Sequence, residues 1–206
     1  MYAIVENNEV KKIITNPKSI VIGDVRYPAK IFQLWSTSEL NAIGIYEVIT
    51  DSSNYKDEAY YINTNEEYNF ANNQVTRSWG TATPKRLENE DAVDKNGNSV
   101  LDDDGVQLIN YGLKTEKKRI VKQQASGLLE KTDWHNHKAL DDETYTIPDN
   151  IKTYRANVRA KSNEMENQID ACTNVDELKT LYEYVNTGTE EDPVIERPLA
   201  EFPEEI

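Results

Sequence analysis

The amino-acid sequence predicts an α+β protein with a small β-rich N-terminal domain and a helical C-terminal domain. In residues 1–87, short runs of β-branched and aromatic residues alternate with turns rich in Asn, Gly and Pro, a pattern typical of strands. After residue 110, apolar residues recur at spacings of three, four and seven, which is typical of helices. The hydrophobic fraction is 37% of 206 residues, which favours two thin cores over one thick core.

The N-terminal domain, residues 1–87, should begin with a β-hairpin. Apolar runs at 2–5 and 10–14 flank an Asn-rich connection, which is a strong hairpin signal. Ser36 and Glu39 have the spacing of a capping box, so we expect one short helix from about residue 37 to residue 43.

A strand should follow this helix over residues 45–49, and a second hairpin should form around Asn72 and Asn73. The apolar residues of this second hairpin alternate along the strands, so they should share one face. The aromatic richness of the domain is expected to serve its core.

Residues 88–110 are acidic and poor in large apolar side chains, so we expect a linker, or an exposed hairpin within it. Asn96 and Gly97 form a turn dipeptide that predicts a small hairpin. A calcium loop starting at Asp94 would place Ser99 at the turn glycine and Gly105 at the bidentate glutamate. The sequence therefore predicts no metal site here.

The C-terminal domain, residues 111–186, should contain three helices. The first spans about residues 113–129, the second begins after Pro148, and the third is capped by Thr173 or Asn174. The last segment, residues 187–206, combines three prolines with many carboxylates, so we expect a flexible acidic tail. Its dispersed apolar residues could act as a docking peptide.

The net charge of −14 disfavours nucleic acid and anionic membrane surfaces as partners. No run of about 18 apolar residues could span a bilayer, and the N-terminus lacks the pattern of a secretory signal. We therefore expect the protein to stay where it is synthesised. Cys172 is the only cysteine, which excludes an internal disulfide and is typical of a buried thiol.

No glycine-rich phosphate loop, paired-cysteine zinc site or nucleophile elbow occurs in the sequence. His135 and His137 lie beside Asp133, where they could bind a metal or shuttle protons, but we expect them to be surface residues. The sequence thus predicts no catalytic residue, no cofactor and no metal ligand.

Two short motifs in the helical region carry a family resemblance. Residues 128–134 read Leu-Leu-Glu-Lys-Thr-Asp-Trp, and residues 154–159 read Tyr-Arg-Ala-Asn-Val-Arg. This region, about residues 113–185, resembles phage tail-fibre assembly chaperones, which carry a leucine pair, a Thr/Ser-Asp-Trp triplet and a later Tyr-Arg-x-x-Leu-Arg. Lys138 lies where that family commonly has arginine, and residues 135–137 and 139–141 depart from its usual residues.

The resemblance implies a non-enzymatic phage protein that assists the assembly of a tail or tail fibre in the host cytoplasm. Its partner would be a phage tail or tail-fibre protein. The alternative is a structural component that stays in the virion tail. The candidate partner-binding residues are Trp134, Tyr154, Arg155 and Arg159. Trp134 could instead be buried between two helices, and the arginines could pair with Asp133. The sequence leaves the oligomeric state open.

Overall fold

The computed structural model describes residues 1–206 and is mixed α+β, with a curled β-sheet domain and six helices. The chain divides into two compact units, Met1–Pro84 and Lys85–Ile206. No helix has the length and apolar composition needed to cross a membrane.

The first unit is built on a five-stranded sheet. Its elements, in chain order, are β1 (Tyr2–Glu6), β2 (Glu9–Ile14), β3 (Ile20–Ile22), β4 (Val25–Tyr27), α1 (Ile31–Leu34), α2 (Thr37–Ala42), β5 (Ile45–Thr50), β6 (Tyr61–Ile62), β7 (Glu67–Ala71), β8 (Gln74–Ser78) and β9 (Thr83–Pro84). The sheet order is β2-β1-β5-β8-β7, with β5 parallel to β8 and the other neighbours antiparallel. Both predicted hairpins, β1–β2 and β7–β8, are confirmed.

The predicted capping box is also confirmed. The Ser36 hydroxyl accepts from the Glu39 backbone N–H at 3.3 Å, and the Glu39 carboxylate accepts from the Ser36 backbone N–H at 2.8 Å. The expectation of one short helix was wrong, because α1 forms a further helical turn. Its residues Ile31 and Phe32 are buried against the sheet, so tertiary packing stabilises a turn that has no capping signal of its own.

Alternation along the strands gives the sheet two apolar faces. One face carries a larger cluster that includes both short helices: Ile4, Ile14, Ile20, Ile31, Phe32, Leu40 and Ile45. The other face carries a smaller cluster: Ala3, Val5, Val48 and Val75. Neighbouring residues of β1 therefore serve opposite faces, as the two-residue period of a strand requires.

The second unit contains four helices, so the prediction of three was wrong. Its elements are β10 (Glu90–Asp91), β11 (Ile109–Asn110), α3 (Leu113–Glu130), α4 (Asp133–Asp141), α5 (Asp149–Ala171), α6 (Val175–Tyr182), β12 (Val185–Asn186) and β13 (Ile195–Glu196). Helix α4 escaped prediction because its nine residues have no continuous apolar stripe. Helices α3 and α5 pack along each other and bury Val121, Ala125, Tyr154 and Val158.

Residues 90–110 fold into a closed junction of three antiparallel pairs, so they are not an extended linker. The pairs are Asp91 with Ile109, Val93 with Ser99, and Leu101 with Gln107. At the centre, three backbone hydrogen bonds close a ring: Val100 N–H donates to Ala92 O at 2.9 Å, Leu108 N–H to Val100 O at 2.9 Å, and Ala92 N–H to Leu108 O at 2.8 Å.

An eight-residue sequence repeat underlies this junction. Asp94 and Asp102 occupy equivalent positions, and each side chain accepts two backbone N–H groups of its own turn. Gly97 and Gly105 are also equivalent, with φ angles of +84° and +80° that favour glycine. The predicted hairpin at Asn96 and Gly97 is therefore one of two matching turns.

Part of the predicted flexible tail, around Leu199, is instead packed on the helical unit, whereas residues 187–196 are exposed. Leu199 is 1% exposed, and its N–H donates to Leu181 O at 3.0 Å. The Gln168 side chain brackets this residue, since it donates to Pro198 O at 3.1 Å and accepts from Ala200 N–H at 2.8 Å. The average composition of the segment is polar, but the buried Leu199 and these hydrogen bonds together dock this part of it against the helices.

Candidate partner-binding surface

A buried arginine fixes the turn between α3 and α4. Arg155, on α5, is only 7% exposed. Its Nη1 donates to Leu129 O at 2.8 Å and to the Thr132 hydroxyl at 2.6 Å, and its Nη2 donates to Asp133 Oδ1 at 2.7 Å. The Thr132 hydroxyl in turn donates to Leu129 O at 3.0 Å. The guanidinium thereby satisfies a carbonyl at the end of α3 and holds the first residue of α4.

This turn directs Trp134 outward. The Trp134 side chain is on the first turn of α4 and the residue is 53% exposed, although tryptophan is usually well buried in folded proteins. The alternative, a ring buried between two helices, does not fit this exposure. Thr132, two residues earlier in the chain, is buried instead.

Trp134 is not a loose side chain, because its ring is stacked on another. The Trp134 and His135 ring centroids are 3.7 Å apart at an interplanar angle of 26°. His135 is buried and its Nδ1 is hydrogen-bonded to the Tyr145 hydroxyl. We call Trp134, His135 and Tyr145 the α4 aromatic cluster. Stacking against a fixed neighbour lowers the entropy that Trp134 would lose on binding a partner.

The turn after α4 places the Tyr145 ring beside those of Trp134 and His135. Asp142 accepts hydrogen bonds from the Thr144 hydroxyl at 2.6 Å and the Thr144 backbone N–H at 3.0 Å. These donors, the hydroxyl first, hold the pKa of the Asp142 carboxyl below its ordinary value. The Lys138 ammonium lies 4.3 Å from the centroid of the Tyr145 ring, which adds a cation–π contact at the edge of the cluster.

The four candidate partner-binding residues divide into two groups. Tyr154 and Arg155 are buried, where they support the helices and cannot form a contact surface. Trp134 and Arg159 are exposed. Arg159 donates to Arg155 O at 3.4 Å and makes no ion pair with a carboxylate, so its charge is accessible to a partner.

Sequence reasoning missed His135 and Tyr145. His135 was expected at the surface, and this was wrong, because the ring is covered by Trp134 and Tyr145. The sequence did contain one indication of this cluster. Asp142 favours a turn two residues before Thr144, and such a turn brings Tyr145 back towards Trp134. His137, in contrast, is exposed as expected.

The remaining chemical groups form no assembled site. No group of three or more His, Cys, Asp or Glu side chains is placed to hold a metal ion. Cys172 is buried, as predicted, and burial raises the pKa of its thiol, with the Glu177 carboxylate adding to the effect. Comparisons of the chain with protein-family models, with curated proteins and with solved structures find no match.

Proposed function

We propose that this protein is a non-enzymatic assembly helper that binds a phage tail or tail-fibre protein through the α4 aromatic cluster. The phage assignment comes from the resemblance of residues 128–134 and 154–159 to the tail-fibre assembly chaperones. The exposure of Trp134 on a turn that buried groups hold in place is the observation that carries the binding role.

The arrangement has the character of an interface hot spot. Tryptophan and arginine are the residue types most enriched at such sites; Trp134 is exposed on α4, and Arg159 is exposed on α5, one turn from Arg155. The motif residues that do not face solvent have a structural task, since Arg155 and Thr132 hold the turn that presents Trp134. A surface of this kind loses little conformational freedom on association.

The size and charge of the surface favour a reversible complex. The cluster is small, and the protein carries a net charge of −14. Charged surfaces accelerate association by electrostatic steering, and small interfaces dissociate readily. An assembly helper needs both properties, because it must release its client when assembly is complete.

The test is co-purification from cells that are producing phage. Tagged wild-type protein should capture a tail or tail-fibre protein, identified by mass spectrometry, and Trp134→Ala should reduce its recovery at least about tenfold. Leu140→Ala is the matched control, because Leu140 is 81% exposed on the same helix but lies outside the cluster. Equal recovery with wild type and Trp134→Ala would contradict the proposal.

The alternative is a structural component of the virion tail, and the closed junction of residues 90–110 favours it. Three apolar residues of the junction, Val93, Leu101 and Val106, are more than half exposed, which suits a lasting attachment. Quantitative mass spectrometry of salt-washed virions separates the two roles. A helper is absent from these particles, whereas a component is present at a fixed copy number.

A further inference from the structure

The last residues of the chain lie against α3 in a groove that they do not fill. The groove is lined on α3 by Gln124, Gly127, Leu128 and Lys131, and on the other side by Arg197, Glu201, Phe202 and Glu205. About 570 Å³ of open space remains between the two sides. This space is open to solvent, so residues 201–206 form one wall of the groove and leave part of the α3 surface uncovered.

Phe202 is the apolar anchor of this segment. Its ring is half-buried and packs with Leu128 and Leu129 on a cluster whose buried members are Ala125, Tyr154 and Val158. Around the ring, Glu205 pairs with Lys131 of α3, and both of these side chains are more than half exposed. An exposed ion pair of this kind adds little to stability.

The contacts between the C-terminal segment and the helices change from buried to mostly exposed at Ala200. Before this residue, Leu199 is fully buried and the backbone of Pro198 and Ala200 is held by Gln168. After it, residues 201–206 are held by Phe202 and by exposed contacts of Glu201 and Glu205. The contacts that hold residues 201–206 are therefore more exposed than those that hold Leu199.

We propose that the α3 side of this groove, at Leu128 and Lys131, is a docking site for a short acidic segment with an aromatic anchor, supplied by a partner protein, and that residues 201–206 cover this side in the free protein. The seated segment defines the chemistry of the ligand: one aromatic ring for the apolar cluster and flanking carboxylates for Lys131. The proposal does not depend on the phage assignment or on Trp134, since the groove uses other residues.

Because residues 201–206 cover the α3 side of the groove, the proposal predicts how the affinity for a partner segment should change when they are weakened. A partner segment can bind only when residues 201–206 have left, so its apparent affinity is reduced by the fraction of time that the groove is open. Weakening the internal occupant should raise the affinity for an external peptide of the same chemistry. This behaviour distinguishes a replaceable occupant from an ordinary structural contact.

The experiment uses a fluorescent peptide with the sequence of residues 199–206 and measures its binding to the full chain by anisotropy. Phe202→Ala protein should bind the peptide at least about tenfold more tightly than wild type. Ile206→Ala is the control and should match wild type, because Ile206 is 62% exposed and is not among the residues lining the groove. A peptide with Ala in place of its phenylalanine should bind Phe202→Ala protein at least about tenfold more weakly.

Two further variants keep the result interpretable. Glu205→Lys places a second lysine against Lys131 and should raise peptide affinity without removing any apolar side chain. Leu128→Ala in the Phe202→Ala background should lower it. Equal binding by wild type and both opened variants, or no binding by either opened variant, overturns the proposal. A wild-type dimer that Phe202→Ala converts to monomer would also overturn it, since the occupant would then be a second copy of the chain.

Discussion

The Arg155 guanidinium and the Thr132 hydroxyl, 23 residues apart in the sequence, are joined by a 2.6 Å hydrogen bond inside the helical unit. Each group would be costly to bury alone, and together they satisfy the carbonyl of Leu129 as well. The Tyr-Arg motif on α5 and the Thr-Asp-Trp motif at the start of α4 are therefore two halves of one structural device. Together they fix the position of Trp134.

Arg155→Ala is expected to lower the free energy of unfolding by about 2–3 kcal/mol, because a buried hydroxyl and a carbonyl lose their charged donor. Urea denaturation followed by circular dichroism measures this. Arg159→Ala is the matched control on the next turn of α5, and as an exposed residue it should stay within about 0.5 kcal/mol of wild type. Similar losses for both variants would show that Arg155 is not the residue that fixes the turn.

Trp134→Ala is expected to cost less than about 1 kcal/mol, far below the 3–5 kcal/mol typical of deleting a buried large aromatic. The reason is that Trp134 is already 53% exposed in the folded chain. Thermal denaturation of the purified variant gives the answer. A loss in the range typical of a buried tryptophan would mean that the ring is part of the core.

Leu199→Ala is expected to lower the free energy of unfolding by about 2–5 kcal/mol, because it leaves a cavity where the side chain is now fully buried. Leu140→Ala makes the same chemical change at an exposed position and should have almost no effect. If the two variants unfold at the same denaturant concentration, the segment around Leu199 is not docked in solution.

Gly97→Ala and Gly105→Ala should each cost about 1 kcal/mol, since both glycines have a positive φ that an L side chain adopts with strain. No neighbouring atom would clash with the added methyl group at either position, so the cost is purely conformational. Gly127→Ala in α3 is the opposite case: it has equal space and a helical backbone, and should stabilise the chain by about 0.5–1 kcal/mol.

The turn at Asp142 should weaken in acid. Because the folded-state pKa of this carboxyl is depressed, its stabilising effect is complete above the ordinary value of 3.8 and is lost as pH falls through the depressed pKa. Amide chemical shifts of Thr144 and Tyr145, followed by NMR against pH, report the midpoint. Thr144→Ala removes the hydroxyl donor and should move that midpoint upward; an unchanged midpoint would show that the hydroxyl is not the main cause.

The sequence was most informative where local chemistry determines structure. The capping box at Ser36 and the two Asn-centred hairpins follow from side chains that favour one backbone geometry, and each was located correctly. The parallel pairing of β5 with β8 could not be read in this way, since it joins segments that are separated by two further strands.

The sequence predictions failed where a few residues behave differently from the average composition of their segment. Leu199 docks a segment that is acidic overall, and Ile31 and Phe32 stabilise a helical turn through burial alone. For the candidate surface, the sequence supplied the right motifs, but it could not separate Arg155, which holds the turn, from Trp134, which the turn exposes. That separation depends on the direction of each side chain, which only the folded chain determines.

The closed ring of backbone bonds among Ala92, Val100 and Leu108 limits how this region can evolve. Tandem repeats in open solenoids lengthen by duplication, because each new copy stacks on the last and leaves the others unchanged. Here the last bond returns to the first position, so a third copy of the eight-residue unit would have to break the ring to enter. We therefore expect homologous chains to vary the residues at the two turn tips while keeping the number of units at two.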